Sequence, residues 1–268
     1  MASTPAAPLT VRSGRVKHAR RLATRAFRAQ SGEFLAEGPQ AVREALGTAG
    51  VVIEVFATAD ATDRHPALVE MAGDRWIQAD DDVLDAVTDA VQPQGVVARC
   101  RSVIADLSEL PHEARFVVVC ADVRDPGNAG AVIRCADAAG ADAVVVAGDS
   151  VDPLNPKAVR ASAGSLFHLP VLVHRDVVEV VSQLQRQGLQ VLAADGAGEV
   201  GLFDDSLDLA APTAWLMGNE AWGLPEHVSA LADHVVAVPI YGRAESLNLA
   251  TAAAVCLYAT AAARHRAG

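Results

Sequence analysis

Asn128, Arg134, Glu220, Ser246 and Asn248 stand in three glycine-bearing segments: Asp125-Pro-Gly-Asn-Ala-Gly-Ala-Val-Ile-Arg134, Met217-Gly-Asn-Glu-Ala-Trp-Gly-Leu-Pro225 and Val238-Pro-Ile-Tyr-Gly-Arg-Ala-Glu-Ser-Leu-Asn248. Each follows an apolar, strand-like run and leads into a helix-like run, where doubly wound α/β folds put their ligand loops. Glycine opens backbone N–H groups to a ligand and permits close approach of other chain segments. Glu220 is placed to accept hydrogen bonds from such loop amides. Arg134 lies inside an apolar run, Ala131–Ala136, where a guanidinium is costly to bury without a partner. It therefore reads as a cation turned back to the pocket of its own loop. Plainer roles exist for each residue: Asn128 and Ser246 as helix N-caps, Glu220 as a solvated carboxylate beside a Gly-Pro turn. Three such segments in series go beyond those roles and make the C-terminal half an enzyme candidate.

A fourth cluster, Gly196, Gly198 and Gly201, follows a strand-like run in the dinucleotide pattern G-x-G-x-x-G. That fingerprint needs a helix to open immediately and receive a pyrophosphate on its N-terminus. The following residues, Leu202-Phe-Asp-Asp-Ser-Leu-Asp-Leu and then Pro212, are poor helix formers, which disfavours a nicotinamide-dependent oxidoreductase. The loop is still expected to line a pocket.

The elements behind these loops form a regular series. Continuous apolar runs at 116–121 and 143–147 signal strands buried on both faces of a parallel sheet. Runs at 170–174, 189–194, 214–217 and 234–240 continue it, with helices expected near 129–139, 155–164, 176–187, 225–232 and 246–265. The first hundred residues form a smaller α/β module: a basic helix over 14–30, helices at 39–45, 65–72 and 80–90, and strands at 51–57, Trp76 and 94–100. Three parts are expected: residues 1–100, a linker over 101–114, and a parallel-sheet domain over 115–268. The N-terminal Met1–Pro8 reads as a disordered lead without a secretory core.

The 268 residues are 51% hydrophobic, enough for a substantial core, yet no apolar run reaches the ~20 residues that span a bilayer. Cys100, Cys120, Cys135 and Cys256 are dispersed and suit buried thiols in a reducing cytoplasm better than disulfides or a metal site. A net charge of −11 argues against a nucleic-acid partner only until its distribution is read. Arg12, Arg15, Lys17, Arg20, Arg21, Arg25 and Arg28 occupy the stretch Thr10–Gly32 with no acidic residue among them. Such a stripe can neutralise phosphates while the acidic remainder keeps the protein soluble; its plain reading is a solvated helix face.

Taken together, these motifs closely resemble the SpoU/TrmH group of the SPOUT superfamily. Asn128 through Arg134 is similar to that group's first motif, Gly218-Asn-Glu220 with Gly223 to its second, and Pro239 followed by Ser246-Leu-Asn248 to its third. Asn155-Pro-Lys-Ala-Val-Arg-Ala-Ser-Ala-Gly164 also looks like a family segment. Residues 1–100 resemble, less specifically, an L30e-like RNA-binding domain, through Glu37-Gly-Pro39 and Pro93-Gln-Gly95. The resemblance implies methyl transfer from S-adenosyl-L-methionine (AdoMet) to a ribose 2′-hydroxyl, of ribosomal RNA ahead of transfer RNA. It also implies a C-terminal trefoil knot and a cytoplasmic homodimer with an active site drawn from both chains. No metal, membrane or DNA partner is expected. On that reading Leu192, Ala194, Leu216, Gly218, Val238, Ile240 and Leu247 hold the cofactor, Arg134 is the main catalytic residue, and Asn128, Glu220, Ser246 and Asn248 orient it or shape the pocket. The basic stripe binds RNA. An RNA-binding protein that had lost catalysis would lack the motif centres, and all are present.

Overall fold

The computed structural model describes residues 9–88, 90 and 92–267. The expected disordered lead, Met1–Pro8, and Asp89 of the expected 80–90 helix lie outside these residues. The chain divides into two compact units, the first comprising the residues through Ser102 together with Leu154–Phe167, the second Val103–Pro153 and the residues from His168 on.

In the first unit, β1 (Glu33–Glu37), β2 (Val52–Ala57), β3 (Trp76–Gln78) and β4 (Val96–Arg101) form a sheet in the order β1-β4-β2-β3, antiparallel except for β2 with β3. Val16, Leu22, Leu35, Phe56, Leu84 and Val97 build a core between this sheet and its helices. The expected basic helix over 14–30 is two helices, Gly14–Arg21 and Arg25–Ser31. The break comes from Leu22, fully buried, and from Arg28, whose Nη1 donates to the carbonyls of Leu22 at 2.8 Å and Ala23 at 3.0 Å. Those carbonyls have no partner in a terminating helix, and a charged donor satisfies them.

Arg99 on β4 ties the sheet together. It lies directly across from Glu54 of β2, and its Nε donates to Glu54 at 2.6 Å while Nη1 donates to Glu33 of β1 at 2.8 Å. His18 and Arg15 complete the network, at 2.7 Å from Glu33 and 3.5 Å from Glu54. Burial works against the Glu33 charge, but the hydrogen bonds from Arg99 and His18 outweigh it and hold the carboxyl below its usual range. The family-like segment 155–164 also belongs here: its helix Pro156–Ser162 is followed by Ala163 as C-cap and by Gly164, which closely abuts Glu44, and Phe167 stacks on Phe34 with ring centroids 6.0 Å apart.

The second unit holds an eight-stranded, all-parallel sheet: β5 (Ile104–Asp106), β6 (Phe116–Ala121), β7 (Ala143–Ala147), β8 (Val171–His174), β9 (Gln190–Ala194), β10 (Val200–Gly201), β11 (Thr213–Met217) and β12 (His234–Ala237). Their order is β10-β12-β9-β11-β6-β7-β8-β5. Strands β6, β7 and β11 are buried along their whole length, which explains their unbroken apolar sequences. The expected linker over 101–114 is instead built into the units: Arg101 ends β4, and from Val103 on the stretch belongs to this unit. Its Ile104–Asp106 pairs with β8, and Leu107, Leu110 and Ala114 are core residues. The polar residues that suggest a linker have another use: Asp106 and Glu109 form a reciprocal capping box on a single helical turn.

The order of the sheet positions the site. Strands β12, β9, β11 and β6 are neighbours, so the loops leaving their carboxyl ends emerge side by side. The loop after β9 opens no helix; it runs into β10, paired with β12. A Cβ on Gly198 would sit 2.7 Å from the backbone of residues 235–237. Close chain approach, not a pyrophosphate, accounts for that glycine. The last helix, Leu249–Ala267, packs on β11, where the Trp215 indole N–H donates to the Thr260 hydroxyl at 2.9 Å, both residues fully buried.

Candidate active site

Asn219 fastens the loops. Its backbone exchanges hydrogen bonds with Gly223 at 2.9 Å in both directions, closing a tight turn, and its Nδ2 donates to the Asp122 carbonyl at 2.7 Å. The loop after β11 is thereby pinned to the loop after β6. Gly218 and Gly223 make the turn possible. A Cβ on Gly218 would lie 2.6 Å from the Gly223 carbonyl carbon, and Gly223 has φ +68°. Glu220 continues the same connection. Its carboxylate accepts from the backbone N–H of Arg124 at 3.3 Å and of Asp125 at 3.2 Å, and from Asn128 Nδ2 at 3.1 Å.

Asn128 in turn accepts from Asn248 Nδ2 at 3.1 Å. The chain Glu220–Asn128–Asn248 therefore joins the centres of all three motifs, separated by as many as 120 positions in sequence. The caps differ from those expected. Asp125, not Asn128, caps the helix Pro126–Ala138 by accepting from the Asn128 N–H at 2.8 Å. Asn248, not Ser246, caps the last helix, accepting from the Ala250 N–H at 2.9 Å. Both asparagine amides are thus held from two sides.

Beside this cluster lies a cleft of about 250 Å³. Ala194, Gly218, Val238, Ile240 and Leu247 line it, as expected of the cofactor residues, together with Glu220 and Ser246. Leu192 and Leu216 do not: they are fully buried within β9 and β11, and the strand-end residues Ala194 and Met217 form the wall in their place. Asp195 and Gly196 also line the cleft, as do Glu245, Leu249 and Ala252. Asn219, Asp125 and Glu245 are functional candidates that motif reading passed over. The Asp125-x-x-Asn128 spacing is a cap signature that could have flagged one of them.

Arg134 is not brought to this cleft. It is exposed on the helix Pro126–Ala138, and its side chain makes no hydrogen bond or ion pair with any described residue. Six residues beyond Asn128, it points roughly 120° away around the helix axis. Of the basic stripe, Arg12, Arg15, Lys17, Arg20, Arg21 and Arg25 are exposed, with Arg21 lying 3.8 Å over the Phe27 ring. Arg28 is 4% exposed and serves as the internal cap described above, which removes it from the stripe. Among the described residues, no group of three or more His, Cys, Asp or Glu side chains could hold a metal ion.

Strand-end loops of a parallel sheet, a cleft with apolar walls and carboxylates at its rim, and a pinned acid–amide cluster define an α/β enzyme that handles a bound small-molecule cofactor. Residues 115–258, more than half of the chain, match the SpoU rRNA Methylase family, and residues 14–98 match the MRM3-like substrate binding domain. The chain belongs to the SpoU rRNA methylase family. It is 36% identical to the 23S rRNA (guanosine(2553)-2′-O)-methyltransferase RlmP of Bacillus subtilis over 93% of this chain and 96% of that one. A 23S rRNA (uridine(2479)-2′-O)-methyltransferase of Streptomyces viridochromogenes is 38% identical over 62% of this chain and 59% of its own length. The crystal structure of the SpoU methyltransferase AviRb from the same organism, in complex with AdoMet, superposes with a TM-score of 0.84 at 31% identity, covering 96% of this chain and all of that one.

Proposed function

We propose that this protein transfers a methyl group from AdoMet to a ribose 2′-hydroxyl of ribosomal RNA. The observation that carries the reading is the Glu220–Asn128–Asn248 chain at the rim of the cleft, which unites three separate motifs in one polar cluster. The relatives that match nearly the full chain, or share its fold at 31% identity, support it by their names and by AdoMet in the AviRb crystal. AdoMet supplies a methyl group on a sulfonium, which leaves without needing a proton.

The cleft fits such a cofactor. Val238, Ile240 and Leu247 offer apolar walls to a heterocycle, while Asp195, Glu220 and Glu245 suit a cationic ligand. The missing side chain of Gly218 keeps the loop narrow enough for backbone groups to face the ligand. The remaining work falls on the protein: align the acceptor hydroxyl with the methyl group and assist loss of its proton. Asn128, Glu220 and Asn248 fix the rim against which the ribose is set, with Ser246 beside them. Arg134 binds phosphate and assists deprotonation. Its exposure, with no hydrogen bond or ion pair to the guanidinium among the described residues, supports a homodimer in which Arg134 of one protomer serves the cleft of its partner. A trefoil knot in the C-terminal loops belongs to the same reading.

Isothermal calorimetry tests the cofactor assignment. S-adenosyl-homocysteine should bind, and EDTA should not weaken it. Gly218→Ala should destabilise the turn by about 1–3 kcal/mol of overpacking and weaken that binding. NAD binding in place of S-adenosyl-homocysteine, or loss of binding on chelation, would refute the assignment. Mapping 2′-O-methyl groups in total RNA from a strain lacking the protein should show a missing mark in ribosomal RNA; a mark missing only from transfer RNA would reassign the substrate.

The first unit holds the RNA. Arg12, Arg15, Lys17, Arg20, Arg21 and Arg25 give it a cationic surface in an acidic chain, and the substrate-binding-domain match supports the role. Several phosphate contacts make affinity fall with salt, with a log–log slope of about −0.7 to −0.9 per neutralised phosphate. Reversing Arg20 and Arg21 to Glu should flatten that slope and weaken binding without altering cofactor affinity. An unchanged slope would leave the stripe a solvated face. A cytoplasmic setting is supported by the free cysteines: burial pushes Cys100, Cys120 and Cys256 up to about 12, so these thiols are inert structural groups. Among the described residues, no helix is long and apolar enough to cross a membrane.

A further inference from the structure

Three segments that the methyl-transfer site leaves unused meet in the first unit. Glu37-Gly-Pro39, Pro93-Gln-Gly95 and the helix Pro156–Ser162 border a cavity of about 180 Å³. Its lining is mixed: Gln40, Gln92 and Gln94, the ion pair between Arg160 Nη1 and Glu37 Oε2 at 2.8 Å, and the small residues Ala90 and Ala163. The Glu37 side chain is 6% exposed and that of Arg160 30%, so the pair forms part of the wall rather than a solvated rim. Small residues, Gly38 and Ala41, leave the space between them open. Gly38 has φ +92°, and the Gln94 amide oxygen lies 3.0 Å from where a Cβ would stand, so a side chain there would displace the amide from the cavity.

The dimensions and chemistry select a ligand. The cavity is far larger than the ~30 Å³ share of a single water and smaller than the ~300 Å³ at which sites for drug-sized molecules begin. A primary amide presents two donors and an acceptor in one plane, the pattern that reads the edge of a heterocycle. Unpaired bases of folded RNA are splayed out and recognised in this way. We propose that this cavity receives one unpaired nucleobase of the RNA substrate, read through Gln40, Gln92 and Gln94, with the Glu37–Arg160 pair fixing the wall between the segments. The proposal rests on the reading of the first unit as the RNA-holding part, and it adds a base contact to the phosphate contacts of the stripe.

The test is the full-length Gln40→Ala/Gln92→Ala/Gln94→Ala variant, titrated with deproteinised 23S rRNA and with poly(A), poly(C) and poly(U). All three glutamines are exposed, so the fold should tolerate the change; an unaltered S-adenosyl-homocysteine affinity and melting temperature check this. The variant should bind 23S rRNA roughly tenfold or more weakly, the scale of a lost bidentate base contact. The salt slope should stay as in the parent, because base contacts release no counterions. The homopolymers should lose affinity unequally. Undiminished affinity for every RNA, while the Arg20 and Arg21 reversal still weakens binding, overturns the cavity proposal and leaves the RNA reading intact. A loss accompanied by a flatter slope also overturns it, since phosphate contacts would then account for the effect. A parent protein that binds none of these RNAs overturns both.

Discussion

Arg134→Ala should abolish methyl transfer while leaving the fold and the affinity for S-adenosyl-homocysteine within about twofold of the parent. The side chain is exposed and makes no hydrogen bond or ion pair with any described residue, so its removal opens no cavity and orphans no described partner. If it supplies charge at the reacting centre of a partner protomer, its loss should cost on the order of a hundredfold or more in kcat. Arg134→Lys should be nearly as poor, because a lysine ammonium cannot reproduce the planar guanidinium fork. Mixing Arg134→Ala protomers with protomers inactivated at Glu220 gives a sharper readout. If the active site spans two chains, a mixed dimer carries one intact cleft and regains part of the activity. Near-parental turnover by Arg134→Ala, or no recovery on mixing, would contradict the shared-site mechanism.

The second large effect is on stability. Arg99→Met should destabilise the first unit by about 3–5 kcal/mol, the usual cost of stripping one partner from a buried charge cluster. Glu54 is 4% exposed and would lose its closest cation, and Glu33 would keep only His18. The pH dependence has a definite sign. The Glu33 carboxyl is held below its usual value of 4.5 in the folded protein, so its contribution is fully present above that value and is lost as pH falls through the lower, folded one. The parent should therefore lose stability on acidification across that window. In Arg99→Met burial is opposed only by His18, and the acid-side loss should shrink. Urea unfolding at neutral pH and near pH 4 measures both quantities. Equal stability of parent and variant at neutral pH would show that the cluster contributes little.

The sequence reveals some of this molecule and conceals the rest for physical reasons. Strands β6, β7 and β11 are legible because burial on both faces leaves nothing polar in them. The motif centres are legible because glycines mark their turns. Strand order is not a property of periodicity, so nothing in the chain announces that β12, β9, β11 and β6 are neighbours, or that Asn248 bonds Asn128. Arg28 looks like its basic neighbours until the helix break at Leu22 gives its guanidinium two carbonyls to satisfy. Arg134 looks like a pocket residue until the helix phase is counted from Asn128. The stretch 101–114 resembles a linker because its larger apolar residues, Val103, Ile104, Leu107 and Leu110, are interrupted by capping carboxylates.

The helix Pro156–Ser162 lies within the stretch that matches the methylase family, yet it folds with the substrate-binding unit. The backbone therefore passes between the two units three times, near residues 102, 153 and 167. Modularity in sequence and modularity in space diverge here. Excising residues 1–100 would strip Phe34 from Phe167 and Glu37 from Arg160, leaving an apolar ring and a charge abandoned on the remnant. If the first unit holds the RNA as proposed, natural or engineered exchange of RNA specificity between relatives would have to transplant two separate pieces of chain, the leading hundred residues and this short insert, as one graft.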